Sequence, residues 1–167
     1  MSDLHRFEGD PRGLPYAERA ASMSLRMPPS RSWVNAVASL AIMQRMAGRL
    51  DESAASFERA IALVAQVPGG ANSILPTVHE QAAMTARLRG DMAAAEAHLR
   101  VVMELDKRIS GPGSTNALTG QREFADLLAD DGRTEDALAQ FDAMRPWLVA
   151  LEKSDHLTAA RIYLEES

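Results

Sequence analysis

Arg45 and Arg87 are the first candidates for chemistry in this chain. They stand 42 residues apart, each three residues before a glycine. A guanidinium is a planar fork of donors, so two of them at equivalent sites can grip a carboxylate or an acidic side chain. The competing reading is two solvated surface arginines, each paired locally. Glu123, Asp126 and Asp130 share one helical face, with Asp131 nearby. Carboxylate oxygens can hold a divalent cation, but carboxylates at helical spacing are first of all a solvated acidic face, so no metal is expected. His5, His79, His98 and His156 have no metal partner at ligand spacing and no nucleophile beside them. Gly69-Gly70 and Gly111-Pro112-Gly113 lack the following lysine and the preceding strand of a phosphate-binding loop. With no catalytic constellation, the chain reads as a non-enzyme that needs no cofactor.

The elements that position these residues recur. Gly48-Arg49-Leu50, Gly90-Asp91-Met92 and Gly132-Arg133-Thr134 open three copies of one pattern, their glycines 42 residues apart both times. The same step relates Ser53, Ala95 and Ala137, then Phe57, Leu99 and Phe141, then Ala60, Val102 and Met144. Ala41, Ala83 and Ala125 each precede their glycine by seven residues. Small and large apolar residues held in register at a fixed period are the mark of a repeat architecture. The alanines are expected where paired helices cross closely.

The totals fit a folded helical protein. Of 167 residues, 46% are hydrophobic but only 5% aromatic, so alanine and leucine must build the core. A net charge of −5 gives no pull toward nucleic acid. Zero cysteines exclude disulfides and thiolate-bound metal, and fit a reducing compartment. The first residues show no apolar run behind their basic residue, and no 18-residue apolar stretch exists, so neither a signal peptide nor a membrane span is expected. A cytoplasmic location follows as an expectation. Sixteen arginines against two lysines, with heavy alanine use, fit a GC-rich bacterial genome.

Along the chain, Pro11 and Pro15 are expected in the first turn of a leading helix that stops before Pro28-Pro29. Ser30 or Ser32 caps a helix near 32–47, which Gly48 ends in the left-handed conformation. Asp51 and Glu52 bring negative charge to the start of the next helix, which runs to about Val67. Further helices are expected at 74–89, 92–109, 115–130 and 134–152, the last kinked or broken by Pro146. A terminal helix at about 155–165 completes the set. Its apolar face is expected to cover the third repeat beside Trp147.

The run Gly-Arg-Leu-Asp-Glu-Ser-Ala, with Phe57 and Ala60 after it, resembles the tetratricopeptide repeat over about residues 12–152. The 42-residue step is similar to the kinesin-light-chain subclass. The resemblance implies an all-α, right-handed superhelix of about eight helices. It has a partial leading repeat at 12–29, repeats at 30–70, 71–112 and 113–153, and a capping helix at 154–167, in a single domain. The sequence departs from the family four residues before each glycine, where Gln44, Ala86 and Leu128 replace the usual aromatic. It also lacks the asparagine pair of kinesin-type first helices, having Ala38-Ser39, Glu80-Gln81 and Arg122-Glu123 there, so that subclass's peptide contacts are not expected.

By the same resemblance the first helix of each pair lines a concave groove. That projects Asn35, Ala38, Ile42, Arg45 and Met46 from the first repeat. The second gives Thr77, Glu80, Met84, Arg87 and Leu88, and the third Thr119, Arg122, Asp126, Ala129 and Asp130. Ile42, Met46, Met84 and Leu88 form an apolar strip suited to varied partners, unless neighbouring helices bury them. The groove then runs from basic to acidic. The implied function is recognition of a protein or peptide segment by a regulatory adaptor or sensor part. The alternative is a scaffold module forming a homodimer through an array end, where Leu14, Tyr16, Met23 and Leu25 lie. Neither nucleic acid nor membrane is an expected partner.

Overall fold

In the computed structural model of the chain, residues 13–68 and 72–154 are described. They form seven α-helices joined by short turns: α1 (Leu14–Ser24), α2 (Arg31–Met46), α3 (Leu50–Val64), α4 (Leu75–Arg89), α5 (Met92–Ser110), α6 (Thr115–Asp130) and α7 (Thr134–Ser154), with a 3-10 turn at Asn72–Ile74 before α4. No strand occurs among the described residues. The terminal helix expected at 155–165 lies outside them. Contacts divide the chain into two compact units, Met1–Ala95 and Glu96–Ser167, with the division inside α5.

In the first unit α1 packs on α2, α2 on α3 and α3 on α4, while α2 also touches α4. The packing follows from where the apolar residues fall. α2 buries Trp33, Val34, Val37 and Ala41, and α3 buries Phe57, Ala60, Leu63 and Val64, each set within one face of a 3.6-residue period. Phe57 is wholly enclosed, and a buried phenylalanine contributes about 1.5–3 kcal/mol relative to an exposed one. In the second unit α6 packs on α7. Leu118 of α6 meets Met144 and Leu148 of α7, with Phe141 and Leu151 at the edge. Ala41, Ala83 and Ala125 are all buried, as the repeat register requires.

Each repeat turns on the same device. Gly48, Gly90 and Gly132 all have φ of 76°, a conformation open to glycine without penalty. The residue after each glycine donates its N–H across the turn, Arg49 to Gln44 O at 2.9 Å, Asp91 to Ala86 O at 2.9 Å and Arg133 to Leu128 O at 2.8 Å. This is the six-to-one bond of a Schellman cap. The acceptors are the three residues that depart from the family's aromatic position. Gln44 there is buried and its side chain accepts a hydrogen bond from the Ser56 hydroxyl at 2.7 Å.

An arginine beside each turn reaches back to the preceding repeat's second helix. Arg49 Nη1 lies 3.4 Å from Glu18 of α1. Arg89 donates to Asp51 of α3 at 2.9 Å, and Arg133 to Glu96 of α5 at 2.8 Å. The residue types move by a position or two between copies, but the bridge persists. Arg100 also bonds Glu96 and rests 5.1 Å from the centroid of the Phe124 ring.

Several boundaries differ from expectation. α1 starts at Leu14, so Pro15 sits in its first turn, while Pro11 lies outside the described residues. Ser30 occupies the start of α2, but its side chain makes no capping bond. α3 stops at Val64 rather than Val67. The chain tightens through Gln66 N to Leu63 O and Val67 N to Val64 O, because Pro68 keeps the residue before it from continuing a helix. Pro146 does not break α7, which runs through it to Ser154. Pro146 is exposed, so water can reach the carbonyl whose N–H partner is missing.

Candidate functional site

The first helices of the two repeats in the first unit, α2 and α4, enclose a groove of about 430 Å³. Its walls include Asn35, Ala38 and Ile42 from α2, which spacings of three and four place on one face. Thr77, Val78 and Gln81 of α4 stand opposite, and Arg31, Ser39, Ser73 and Ile74 belong to the lining too. The enclosed Phe57 lies beneath the floor. No carboxylate belongs to this lining.

Arg45 lies one turn beyond Ile42. Its Nη2 donates to Gln81 Oε1 at 2.7 Å and its Nη1 rests against the Met84 sulfur. Its Nε is buried with no hydrogen-bond partner. No carboxylate pairs with Arg45 among the described residues. Burial lowers the pKa of the guanidinium from its ordinary value, but an arginine stays charged. The site therefore holds a partly desolvated cation compensated only by neutral groups.

Gln81 is fixed from below. The Thr85 hydroxyl donates to Gln81 O at 3.1 Å, and Thr85 Oγ1 lies 3.3 Å from Ser53 Oγ of α3, both residues being fully buried. A polar column thus runs from α3 through α4 to Arg45 of α2.

Of the other projected residues in this unit, Met46, Met84 and Leu88 are 42%, 46% and 59% exposed. Neighbouring helices do not cover them. Ile42 is half-buried against the core. Arg87 is exposed and Glu80 half-buried, and neither lines the groove. The hydrogen-bond partner of Arg45 in this structure is Gln81. His79 is buried in α4.

In the second unit Arg122 donates to Asp126 Oδ2 at 3.0 Å, one turn along α6. Asp126 is thereby paired, while Asp130 is exposed. Thr119 is half-buried and Ala129 exposed. Among the described residues no group of three or more histidines, aspartates or glutamates could hold a metal ion.

Gln81 is the functional candidate that sequence reasoning passed over. It stands where kinesin-type repeats carry the second asparagine, and the missing asparagine argued against a contact there. Its amide nevertheless supplies the same kind of acceptor, directed at an arginine 36 residues earlier.

Comparison with known proteins bears on the fold. The tetratricopeptide repeat family profile matches residues 33–108. No curated protein matches. Among solved structures, a Podosopora anserina protein with nearly identical, kinesin light chain TPR-like repeats superposes with a TM-score of 0.70 at 16% identity, over 87% of this chain and 68% of that one. BtubC (BKLC) from P. vanneervenii gives 0.71 at 14% identity, over 91% of this chain and 62% of its own length. A Rap protein complexed with competence and sporulation factor gives 0.69 at 13% identity, over 89% of this chain and 40% of the Rap chain. This chain thus spans less than two thirds of the last two structures. That family match covers less than half of the chain, and the structural likeness shows the fold, which is that of kinesin-light-chain-like repeat arrays.

Proposed function

We propose that this chain is a non-enzymatic protein-interaction module that holds a peptide segment of a partner protein along α2 and α4, acting as a regulatory adaptor. The observation that carries this reading is the α2–α4 groove, continued at its far end by the exposed side chains of Met46, Met84 and Leu88. Exposed flexible apolar side chains beside a polar groove give affinity from the apolar part and orientation from the polar part. The Rap structure supports it as an array of similar fold that is complexed with another molecule. No described helix is long and apolar enough to cross a membrane, and we place the chain in the cytoplasm. The experiment is partner capture from the source cell with the native chain and with Met84→Glu/Leu88→Glu. Capture lost while the circular-dichroism spectrum is kept supports the reading, and capture unchanged by the double substitution refutes it.

A second reading is self-association through α1, favoured by Tyr16 and Met23, which are 77% and 57% exposed. Light scattering decides it. A dimer that Tyr16→Glu with Met23→Glu converts to a monomer supports that reading, and a native chain that is monomeric at high concentration removes it.

A further inference from the structure

We infer that Arg45 is the anchor for an acidic side chain in the middle of the bound peptide, and that Gln81 is the neutral gate holding this cation while the groove is empty. The inference rests on the α2–α4 groove reading above.

Three observations lead to it. The first is charge. Arg45 has no carboxylate partner among the described residues, and none lines the adjoining groove. A partly buried cation held only by an amide and a thioether remains under-compensated, and the group that best completes it is an anion.

The second is geometry. Nε and Nη2 form the edge of a guanidinium that takes both oxygens of a carboxylate. Arg49 uses that edge on Glu52 in this same chain, with Nε at 2.6 Å from Oε1 and Nη2 on Oε2. On Arg45 the edge is half used: Gln81 Oε1 takes Nη2 and the buried Nε goes without. One amide oxygen cannot satisfy both donors, whereas a carboxylate can.

The third is position. Arg45 lies between two stretches of binding surface. On one side are the groove residues Asn35, Ile42 and Thr77, and on the other the exposed Met46, Met84 and Leu88. A peptide lying along both would carry its carboxylate mid-chain. The occupant is therefore a segment with an internal glutamate or aspartate and apolar residues on the Met84–Leu88 side, rather than one ending in its own carboxylate at Arg45. Binding requires Gln81 to release Arg45, and its backbone stays fixed by the Thr85 hydroxyl.

The test uses the immobilised full chain and pools of short peptides with N-acetyl and C-amide ends. Each has a central glutamate and flanks randomised among leucine, methionine, serine and asparagine. One control pool replaces the glutamate by glutamine, and a second does so but leaves the C-terminal carboxylate free. The glutamate pool should be enriched about tenfold over the glutamine pool, the scale of a charge-assisted pair. Arg45→Gln should abolish that preference. Gln81→Glu should abolish it too, by placing an internal carboxylate on Arg45, with the melting curve kept or raised. This second variant covers the case in which Arg45→Gln folds poorly. Equal enrichment of the glutamate and glutamine pools, or a preference surviving both variants, overturns the anchor. Enrichment of the free-carboxylate pool over the glutamate pool overturns the mid-chain assignment. If all pools bind equally but Met84→Glu abolishes binding, the groove reading stands and only the anchor falls. Enrichment of no pool counts against both.

Discussion

Arg133 Nη1 meets Glu96 Oε2 at 2.8 Å across 37 residues, so the turn between α6 and α7 is tied to α5. Asp136 shares the same guanidinium at 2.9 Å. Glu96 is held below the ordinary carboxylate range, first by its hydrogen bond from Arg100 and then by that from Arg133. Exposed pairs of this kind contribute little on their own. Arg133→Ala should lower the melting temperature only slightly, and the loss should vanish in molar salt. A large, salt-independent loss would show that the arginine stem, rather than its charge, is what matters.

The repeat register makes a stronger demand at Ala83, which is buried in α4. Ala83→Leu should destabilise the fold by about 1–3 kcal/mol, the usual cost of overpacking a close helix crossing. Urea denaturation with an unchanged slope and a shifted midpoint would measure it. An unshifted midpoint would mean that the crossing is elsewhere.

The turn at Gly90 offers a comparable measurement. Space is not limiting there, since an added Cβ would meet no atom within 4 Å. The cost is conformational, because φ of 76° is unfavourable for a residue with a side chain. Gly90→Ala should therefore cost about 1–2 kcal/mol, and Gly90→Asn less, since asparagine tolerates this conformation. Equal losses for both would point to steric crowding instead.

Most of this architecture was legible in the sequence because its causes are local and repeat. The glycines fix a backbone conformation that no other residue adopts freely, and the alanines mark where helices approach. One local signal misled, since the pattern carried α3 on to Val67 although Pro68 cuts it short; of the kink or break expected at Pro146, the break does not occur. The site was legible only in part. Arg45 stood out through its spacing, but its partner did not. Whether Arg45 meets Arg87, a carboxylate or Gln81 depends on the offset between α2 and α4 and on the rotamers chosen, and residue spacing encodes neither.

The pH dependence of stability should expose Asp106. It is buried in α5, and no hydrogen-bond partner for it occurs among the described residues. It lies beside Gly120, a buried position inside α6 where an added Cβ would sit 3.5 Å from Asp106 Oδ2 and 3.1 Å from Val102. Burial raises the carboxyl above the ordinary aspartate value. Between the two values the unfolded chain has released a proton that the folded chain keeps. Stability therefore falls as pH rises through that window, and the loss persists at neutral pH. Asp106→Asn should melt higher than the native chain at pH 7, with the difference closing below the ordinary carboxylate range. A difference independent of pH would show that the charge is not its cause.

The buried hydroxyls of Ser53 and Thr85 should act as one unit. Each is fully enclosed, their oxygens are 3.3 Å apart, and Thr85 also reaches Gln81 O. Removing one partner leaves the other a buried polar group without its bond. Thr85→Val should therefore cost about 1–3 kcal/mol. Removing both, Ser53→Ala with Thr85→Val, should recover part of that loss, since an apolar pair of similar shape needs no hydrogen bond. A thermodynamic cycle over the two single variants and the double variant measures the coupling. The same variants test the link from core to groove, because Thr85 is the hydroxyl that fixes the Gln81 turn of α4. Changes at Thr85 should alter amide exchange at Gln81 and the environment of the Arg45 Nε proton by nuclear magnetic resonance, while Ser53→Ala alone should leave the latter nearly unmoved. Should both single variants shift the Arg45 signal equally, the column would be acting through general loosening of α4 rather than through the Thr85 bond.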